Sequence, residues 1–155
     1  MLLGSLRDQL IYPRLENEIS EAGLRKVLET VRLEDLPERV GGFDVVLDWA
    51  DVLSLGEQQR LAFARLLVNR PGYAVLDEAT SALDAESEHQ ILKALERLRG
   101  KVTILMVAHR LATLSLADKI LLFDKGRIVE SGSWADLTKK KGMFDRLRQL
   151  QSTSV

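Results

Sequence analysis

The chain contains no cysteine and has no excess of either charge, and these absences narrow its class. Without cysteine, its 155 residues form neither disulfides nor thiolate metal sites. The formal net charge is -1, so there is no basic field for nucleic acid and no acidic excess of the kind found in disordered chains. With 46% hydrophobic residues, the composition is that of one compact globular domain.

Long hydrophobic runs are also lacking. The longest apolar run, Val102 to Ala108, is far shorter than the roughly 20 residues that a membrane-spanning helix needs. The first residues, Met1 to Leu6, are followed at once by Arg7 and Asp8, which leaves no room for the apolar part of a secretory signal. We therefore expect any membrane role to come through a partner or through polypeptide missing from this sequence.

Apolar periodicity predicts helices and loops in the first 50 residues and an alternation of strands and helices after them. Helices are expected at Leu6 to Ile11, ended by Pro13, and from the capping residue Ser20 to about Val31, followed by a mixed segment from Phe43 to Val52. The remaining expected elements are a helix at 58–69, a buried strand at 73–76, a helix at 85–99, strands at 102–107 (buried), 119–123 and 127–130, a short helix with a capping box at Ser133 and Asp136, and a helix at 143–151. This alternation predicts an α/β fold with a mainly parallel sheet.

Polar side chains follow two of these strands directly. If strands 73–76 and 102–107 are parallel and joined by helix 85–99, both end at the same edge of the sheet. Ligands of open α/β sheets bind outside the carboxyl ends of strands. Asp77, Glu78 and His109 lie just past those ends and converge at the expected ligand edge.

The segment Leu53 to Arg60 places a serine and a glycine directly before a helix. A hydroxyl and free N–H groups at a helix N-terminus favour phosphate, because the helix dipole and the unpaired donors attract an anion. Ser-x-Gly before a helix is nevertheless a weak signal. A plain N-cap role for Ser54 stays open.

The apolar segment Tyr73 to Leu76 ends in two acids whose chemistry suits phosphoryl transfer. Asp77 can hold Mg²⁺, and Glu78 can orient or deprotonate an attacking water. A pair of solvated acids at a strand end is an equally good interpretation. Asp84 is expected to cap the following helix, and His109 alone is more often structural than catalytic. His89 lies within an amphipathic helix and is given no role.

Taken together, the ordered segments resemble the nucleotide-binding domains of ABC transporters. Residues 53–84, LSLGEQQRLAFARLLVNRPGYAVLDEATSALD, resemble the signature helix, Walker B strand and D-loop of that family. Val107 to Arg110 is similar to the switch-histidine region, and Gly126 to Gly132 is similar to the hairpin after it. The resemblance covers nearly the whole chain, and a chance match of ordered motifs is very improbable.

The subfamily resemblance is mixed. Asp48-Trp49 and the segment 3–13 are similar to half-transporters of the peroxisomal fatty-acyl and bacterial peptide-uptake types. Leu55 and Glu57 replace the commoner Gly and Gln of the signature, a variant that suits this branch. The tail from His109 is more similar to lipid and drug exporters.

The resemblance implies a partial P-loop NTPase-like parallel sheet with flanking helices plus the ABC helical subdomain. Residues 1–56 would be mostly the helical subdomain with the signature, and 57–155 would carry the Walker B strand, D-loop, switch histidine and C-terminal elements. The Walker A strand and loop are expected to be absent. Gly100-Lys101 is followed by Val102 rather than by Ser or Thr, and no Gly lies at the required spacing before it. We therefore expect a fragment, a truncated gene product or one piece of a split domain.

The resemblance also implies ATP and Mg²⁺ as cofactors, in a head-to-tail dimer that sandwiches two ATP molecules. Asp77 would support Mg²⁺, Glu78 would act on the attacking water, and His109 would contact the γ-phosphate. Asp84 would bridge the dimer interface. The residues expected to meet the nucleotide held by the opposite domain are Ser54, Leu55, Gly56 and Glu57.

The expected partners are a second nucleotide-binding domain, the transmembrane domain of a transporter, and a Walker A-bearing N-terminal portion, with no nucleic acid. These partners would hold the chain peripherally at the cytoplasmic side of a membrane. Two alternatives stay open. One is a DNA-repair or chromosome-organising ATPase lobe, against which stand the lack of heptads and of a basic face. The other is a non-catalytic remnant or interaction fragment, which we favour for the chain in isolation because an incomplete sheet leaves an exposed edge.

Overall fold

The computed structural model describes residues 3–13, 19–108 and 110–152, a mixture of helices and strands as predicted. The chain divides into two compact units, Met1–Val107 and Ala108–Val155. The described elements of the first unit are β1 (Gly4–Ser5), α1 (Leu6–Ile11), α2 (Glu21–Thr30), α3 (Leu36–Arg39), β2 (Val46–Leu47), α4 (Trp49–Val52), α5 (Leu55–Asn69), β3 (Tyr73–Asp77), α6 (Ala85–Glu96) and β4 (Thr103–Val107). Those of the second unit are α7 (Leu111–Ser115), β5 (Ile120–Asp124), β6 (Arg127–Gly132), α8 (Trp134–Lys140) and α9 (Met143–Ser152).

Most helices begin where the sequence supplies a side-chain cap. Ser20 and Asp84 cap α2 and α6, as predicted. Ser133 and Asp136 form the expected capping box of α8. Helix α5 begins three residues before the predicted start, because Ser54 accepts a hydrogen bond from the amide of Glu57 and thereby opens the helix at Leu55.

The core of the first unit lies where α1 and α2 pack against α5. It is built from fully buried leucines and the indole of Trp49, whose Nε1 donates a 2.7 Å hydrogen bond to the carbonyl of Gly4. This bond ties α4 to the antiparallel pair of β1 and β2, in which Gly4 faces Leu47. The inward positions predicted for helix 85–99 are all buried, namely Ile91, Leu92 and Leu95 in α6 and Leu98, which lies just past the end of α6 at Glu96.

Side chains of α5 close the carboxyl end of α1. Asn69 Nδ2 donates to the carbonyls of Leu10 (3.1 Å) and Tyr12 (3.0 Å). Arg65 Nε donates to the carbonyl of Gln9 at 2.7 Å. The last carbonyls of a helix have no partner within it, so these two side chains supply the missing donors.

Strands β3 and β4 form the predicted parallel pair, with Val75 opposite Leu105. The prediction that both strands are buried is wrong. Along one face, Tyr73 is 77% exposed, Val75 63%, Leu105 59% and Val107 48%. A parallel sheet is buried only when both of its faces are covered, and the described residues leave this face open.

The second unit is a hairpin with helices packed on it. Strands β5 and β6 are antiparallel across a turn in which Lys125 and Gly126 both have positive φ, the pattern of a tight hairpin turn. Ile120, Leu137 and Phe144 form its core. The carboxylate of Glu130 accepts bonds from the amides of Met143 (2.8 Å) and Phe144 (3.1 Å), so a β6 side chain caps α9.

Candidate functional site

The N-terminus of α5 is organised by a closed capping box. The Ser54 amide and hydroxyl both donate to Glu57 Oε2 at 2.9 Å, and the Glu57 amide donates to Ser54 Oγ at 3.3 Å. Within the described residues, the amides of Leu55 and Gly56 have no acceptor in the chain, so two donors at the positive end of the helix stay open. Both interpretations of Ser54 are thus compatible with the geometry, since it caps the helix and lies beside open donors.

Each carboxylate oxygen of Glu57 has its own partner. While one carboxylate oxygen completes the capping box, the other lies 2.7 Å from Arg39 Nη2. Burial acts to raise the pKa of Glu57, but the bonds from the Ser54 backbone and from Arg39 outweigh it and hold that pKa below its ordinary value. Glu57 therefore remains an anion at neutral pH, fixed between α3 and α5.

Asp77 is the last residue of β3 and Glu78 follows it, so both lie at the edge where the strand ends, and both are exposed. Glu78 has a positive φ of 45°, which is uncommon for a residue with a side chain. Its amide donates to the carbonyl of Val107 at 3.2 Å, at the carboxyl end of the neighbouring strand. The two acids thus lie at the predicted ligand edge of the parallel pair.

The loop after Glu78 packs against the first turns of α5. Gln59 bonds to the carbonyl of Glu78, the hydroxyl of Ser81 and the amide of Ala82. A Cβ added to Gly56 would lie only 3.1 Å from the carbonyl oxygen of Ala82, so the absence of a side chain allows this approach. The structure thereby brings together the predicted phosphate-binding turn and the loop that carries the predicted catalytic acid.

Asp84 caps α6 as expected. Its carboxylate accepts bonds from the Ser87 hydroxyl (2.7 Å) and the Ser87 amide (2.9 Å), and these bonds lower its pKa to about 2. Arg60 Nη1 lies 3.9 Å from the same carboxylate and 3.3 Å from the Ser87 hydroxyl. The capping role is thus visible in the contacts, while the expected role of Asp84 at a dimer interface stays a prediction.

His109 lies outside the described residues, so its predicted role stays a prediction. The described part of the chain contains no group of three or more His, Asp or Glu side chains arranged to hold a metal. That does not conflict with the expectation for Asp77, because Mg²⁺ in phosphoryl-transfer sites is held by one or two carboxylates together with substrate phosphates and water.

Sequence reasoning missed Gln59. It belongs to the signature segment, but no role was predicted for it. The one available signal was its spacing, because Gln59 lies three residues after Gly56 and therefore on the same helix face. Its partners lie 19 to 23 residues further along the chain, which no local pattern indicates.

The family model described as "ABC transporter" matches residues 5–81, a range that includes the signature turn and the first residues of the loop after β3. The chain belongs to the ATP-binding domains of the ABC transporter family. A Synechocystis protein, named as an uncharacterized ABC transporter ATP-binding protein, is 50% identical to this chain. The match covers 71% of this chain and 16% of that protein's length. An ABC multidrug transporter of Emericella nidulans is 42% identical over 96% of this chain and 11% of its own length. An ATP-dependent lipid A-core flippase of Chromohalobacter salexigens is 43% identical over 90% of this chain and 24% of its own length.

The solved structure of a bacterial Atm1-family ABC exporter with ATP bound matches this ABC domain with a TM-score of 0.83 and 32% identity, over 98% of this chain and 27% of that one. The match bears out the predicted partial P-loop NTPase-like fold. The chain spans 11 to 24% of the length of the three curated relatives. The likeness to fatty-acyl and peptide-uptake half-transporters in particular stays a prediction. In the described part of the chain, no helix is both long enough and apolar enough to cross a bilayer.

Proposed function

We propose that this ABC domain binds and hydrolyses ATP to energise a membrane transporter, with the phosphate-binding Walker A loop supplied by polypeptide outside residues 1–155. The observation that carries the proposal is the contact between the N-terminal turn of α5 and the loop after β3. It brings two open amide donors and an exposed carboxylate pair into one compact unit. Phosphoryl transfer requires both functions, because its charge must be stabilised and its nucleophile positioned, and in a head-to-tail pair each chain would supply one function to each of the two nucleotides.

On this proposal, the turn at α5 receives a phosphate. The amides of Leu55 and Gly56 would donate to its oxygens, and the Ser54 hydroxyl would exchange its Glu57 acceptor for a phosphate oxygen. Glu57, fixed by Arg39, would keep the turn in shape. Because the turn is exposed, it suits a nucleotide held by a second copy or a related domain.

On the same proposal, Glu78 accepts the proton of the attacking water or orients that water, and His109 contacts the γ-phosphate. Mg²⁺, when bound beside Asp77, would neutralise phosphate charge. Asp84 would contact the second nucleotide-binding domain. A transmembrane partner would hold the domain at the cytoplasmic side of its membrane. We also propose that residues 1–56 act as the helical subdomain and 57–155 as the catalytic and C-terminal part.

The test is Mg-ATP hydrolysis by the chain alone and after mixing with a Walker A-bearing portion of a related domain. We expect hydrolysis only in the mixture, and Glu78→Gln should lower kcat by about 100- to 10,000-fold, the range for loss of a general base. Glu96→Gln is the matched control, because Glu96 is an exposed glutamate at the far end of α6.

A folded and demonstrably associated mixture that hydrolyses no ATP would count against the catalytic proposal. It would favour the second candidate, a non-catalytic interaction fragment, which the exposed apolar face of β3 and β4 supports. Hydrolysis by the chain alone that is also lost in Glu78→Gln would instead show that ATP is held without an added Walker A loop.

A further inference from the structure

One side-chain amide joins the signature helix to the loop that carries Glu78. Gln59, in the second turn of α5, donates from Nε2 to the Ser81 hydroxyl oxygen at 3.0 Å and to the Glu78 carbonyl at 3.4 Å. Its Oε1 accepts from the Ala82 amide at 3.0 Å. Both ends of the amide are therefore used, and all of its partners lie within residues 78–82.

Other contacts of the helix and of the loop support the Gln59 hydrogen bonds. Gly56, on the same helix face, allows the Ala82 carbonyl to approach closely. The loop also folds on itself, with bonds from the Ser81 amide to the Glu78 carbonyl (3.0 Å) and from the Leu83 amide to the Thr80 carbonyl (3.2 Å). Thr80 and Leu83 are buried, so the loop is held both by the packing of these two side chains and by the hydrogen bonds of Gln59.

The backbone that Gln59 holds is an uncommon one. Glu78 has a φ of 45°, a conformation that persists only when its surroundings fix it. Its amide is bonded to Val107 and its carbonyl to Ser81 and Gln59. The direction of the Glu78 side chain therefore depends on contacts that include the Gln59 amide.

We propose that Gln59 is a positioning residue, which fixes the Glu78 loop against the first turns of α5 so that the carboxylate and the phosphate-binding turn keep one relative geometry. The catalytic part of this inference rests on the proposed function. Because the turn of α5 and Glu78 would serve different nucleotides of a head-to-tail pair, Gln59 connects the two nucleotide sites within one chain. Glutamate is not expected to replace it, because a carboxylate lacks the N–H donor that joins the Ser81 amide at the Glu78 carbonyl.

The first experiment measures the bond itself, without ATP. Hydrogen exchange of the Ala82 amide, resolved by NMR, is expected to quicken about 2- to 10-fold in Gln59→Ala, the effect of losing one hydrogen bond. It should stay within about twofold of the wild-type rate in Gln59→Glu, whose carboxylate still accepts from Ala82. Gln58→Ala is the matched control, since the Gln58 amide donates to the Leu53 carbonyl instead, and it should leave Ala82 unchanged.

The second experiment measures kinetics in the mixture that hydrolyses ATP. Gln59→Ala and Gln59→Glu should each lower kcat by about 10- to 100-fold, because small misplacement of a reacting group has effects of this size, while KM for ATP stays within about twofold. Gln59→Glu is decisive because it keeps the loop bonded to α5 but loses the donor to Glu78.

The outcomes separate the two proposals. Unchanged Ala82 exchange in a folded Gln59→Ala variant would overturn the bridge, whatever the activity. Quickened exchange with wild-type kcat would overturn the positioning role. A wild-type mixture without hydrolysis, together with the expected exchange pattern, would remove the proposed function and with it the catalytic part of this inference, while the structural bridge would stand.

Discussion

At the scale of single residues, carboxylates at helix N-termini explain much of the site. Asp84, Glu57 and Asp136 each accept hydrogen bonds from a serine and from backbone amides. Sequence alone predicted Asp84 as a helix cap and Asp136 as the partner of Ser133 in a capping box, because capping depends on neighbours within three residues along the chain. It did not predict the hydrogen bonds of Gln59, since these depend on where residues 78–82 lie in the folded chain.

Asp84 gives a pH prediction at this scale. Its pKa is about 2 in the folded chain against an ordinary 3.8, mainly because the Ser87 hydroxyl donates to it. A lowered folded pKa means that this stabilisation is present above about pH 4 and is lost as the pH falls toward about 2. Asp84→Asn keeps a good N-cap but does not titrate, so its Tm should fall less steeply than that of the wild type over this range. Thermal unfolding followed by circular dichroism checks this, and parallel curves would contradict it.

At the scale of elements, α5 organises the first unit. Its N-terminal turn contacts the Glu78 loop, and its C-terminal turns supply the donors that end α1. The position of α1 was predictable, since its leucines and Pro13 are local signals. The donors that end it were not, because Asn69 is 59 residues from Leu10 along the chain. The exposed face of β3 and β4 was missed for a related reason, since an apolar run does not tell which of its sides has a neighbour.

Removal of the hydrogen bonds from Asn69 to the end of α1 should destabilise the first unit. Asn69→Ala leaves the buried carbonyl of Leu10 without its donor, which costs about 1–3 kcal/mol in the free energy of unfolding. Urea unfolding followed by the fluorescence of the buried Trp49, in a Trp134→Phe background, measures this change. Gln90→Ala, at an exposed position of α6, should change stability by less than about 0.5 kcal/mol. Equal effects of the two substitutions would refute the role of Asn69.

At the scale of the whole molecule, the exposed apolar face of β3 and β4 is expected to promote association in solution. Val75 and Leu105 lie opposite each other on the open face of β3 and β4. Contiguous apolar surface of this kind promotes association. The expectation of a partial sheet was confirmed, whereas the burial predicted for each of its two strands was wrong.

The double substitution Val75→Thr and Leu105→Thr should reduce self-association of the chain. Both side chains are already exposed, so the free energy of unfolding should change by less than about 1 kcal/mol. Light scattering over a concentration series measures association, and Val46→Thr, an exposed valine on β2, is the control. An unchanged scattering profile in the double variant would show that this face is not where copies of the chain meet.

The closure of α1 by Asn69 has a consequence for biosynthesis. A ribosome adds about 5–20 residues per second, so Asn69 is made roughly 3–12 s after Leu10. During that interval, the nascent α1 is a six-residue helix without the partner that completes it, far below the length at which isolated helices persist in water. The translation rate across the segment that encodes α2 to α5 therefore sets how long α1 stays without the donors that end it, and so how long it is available to chaperones and proteases.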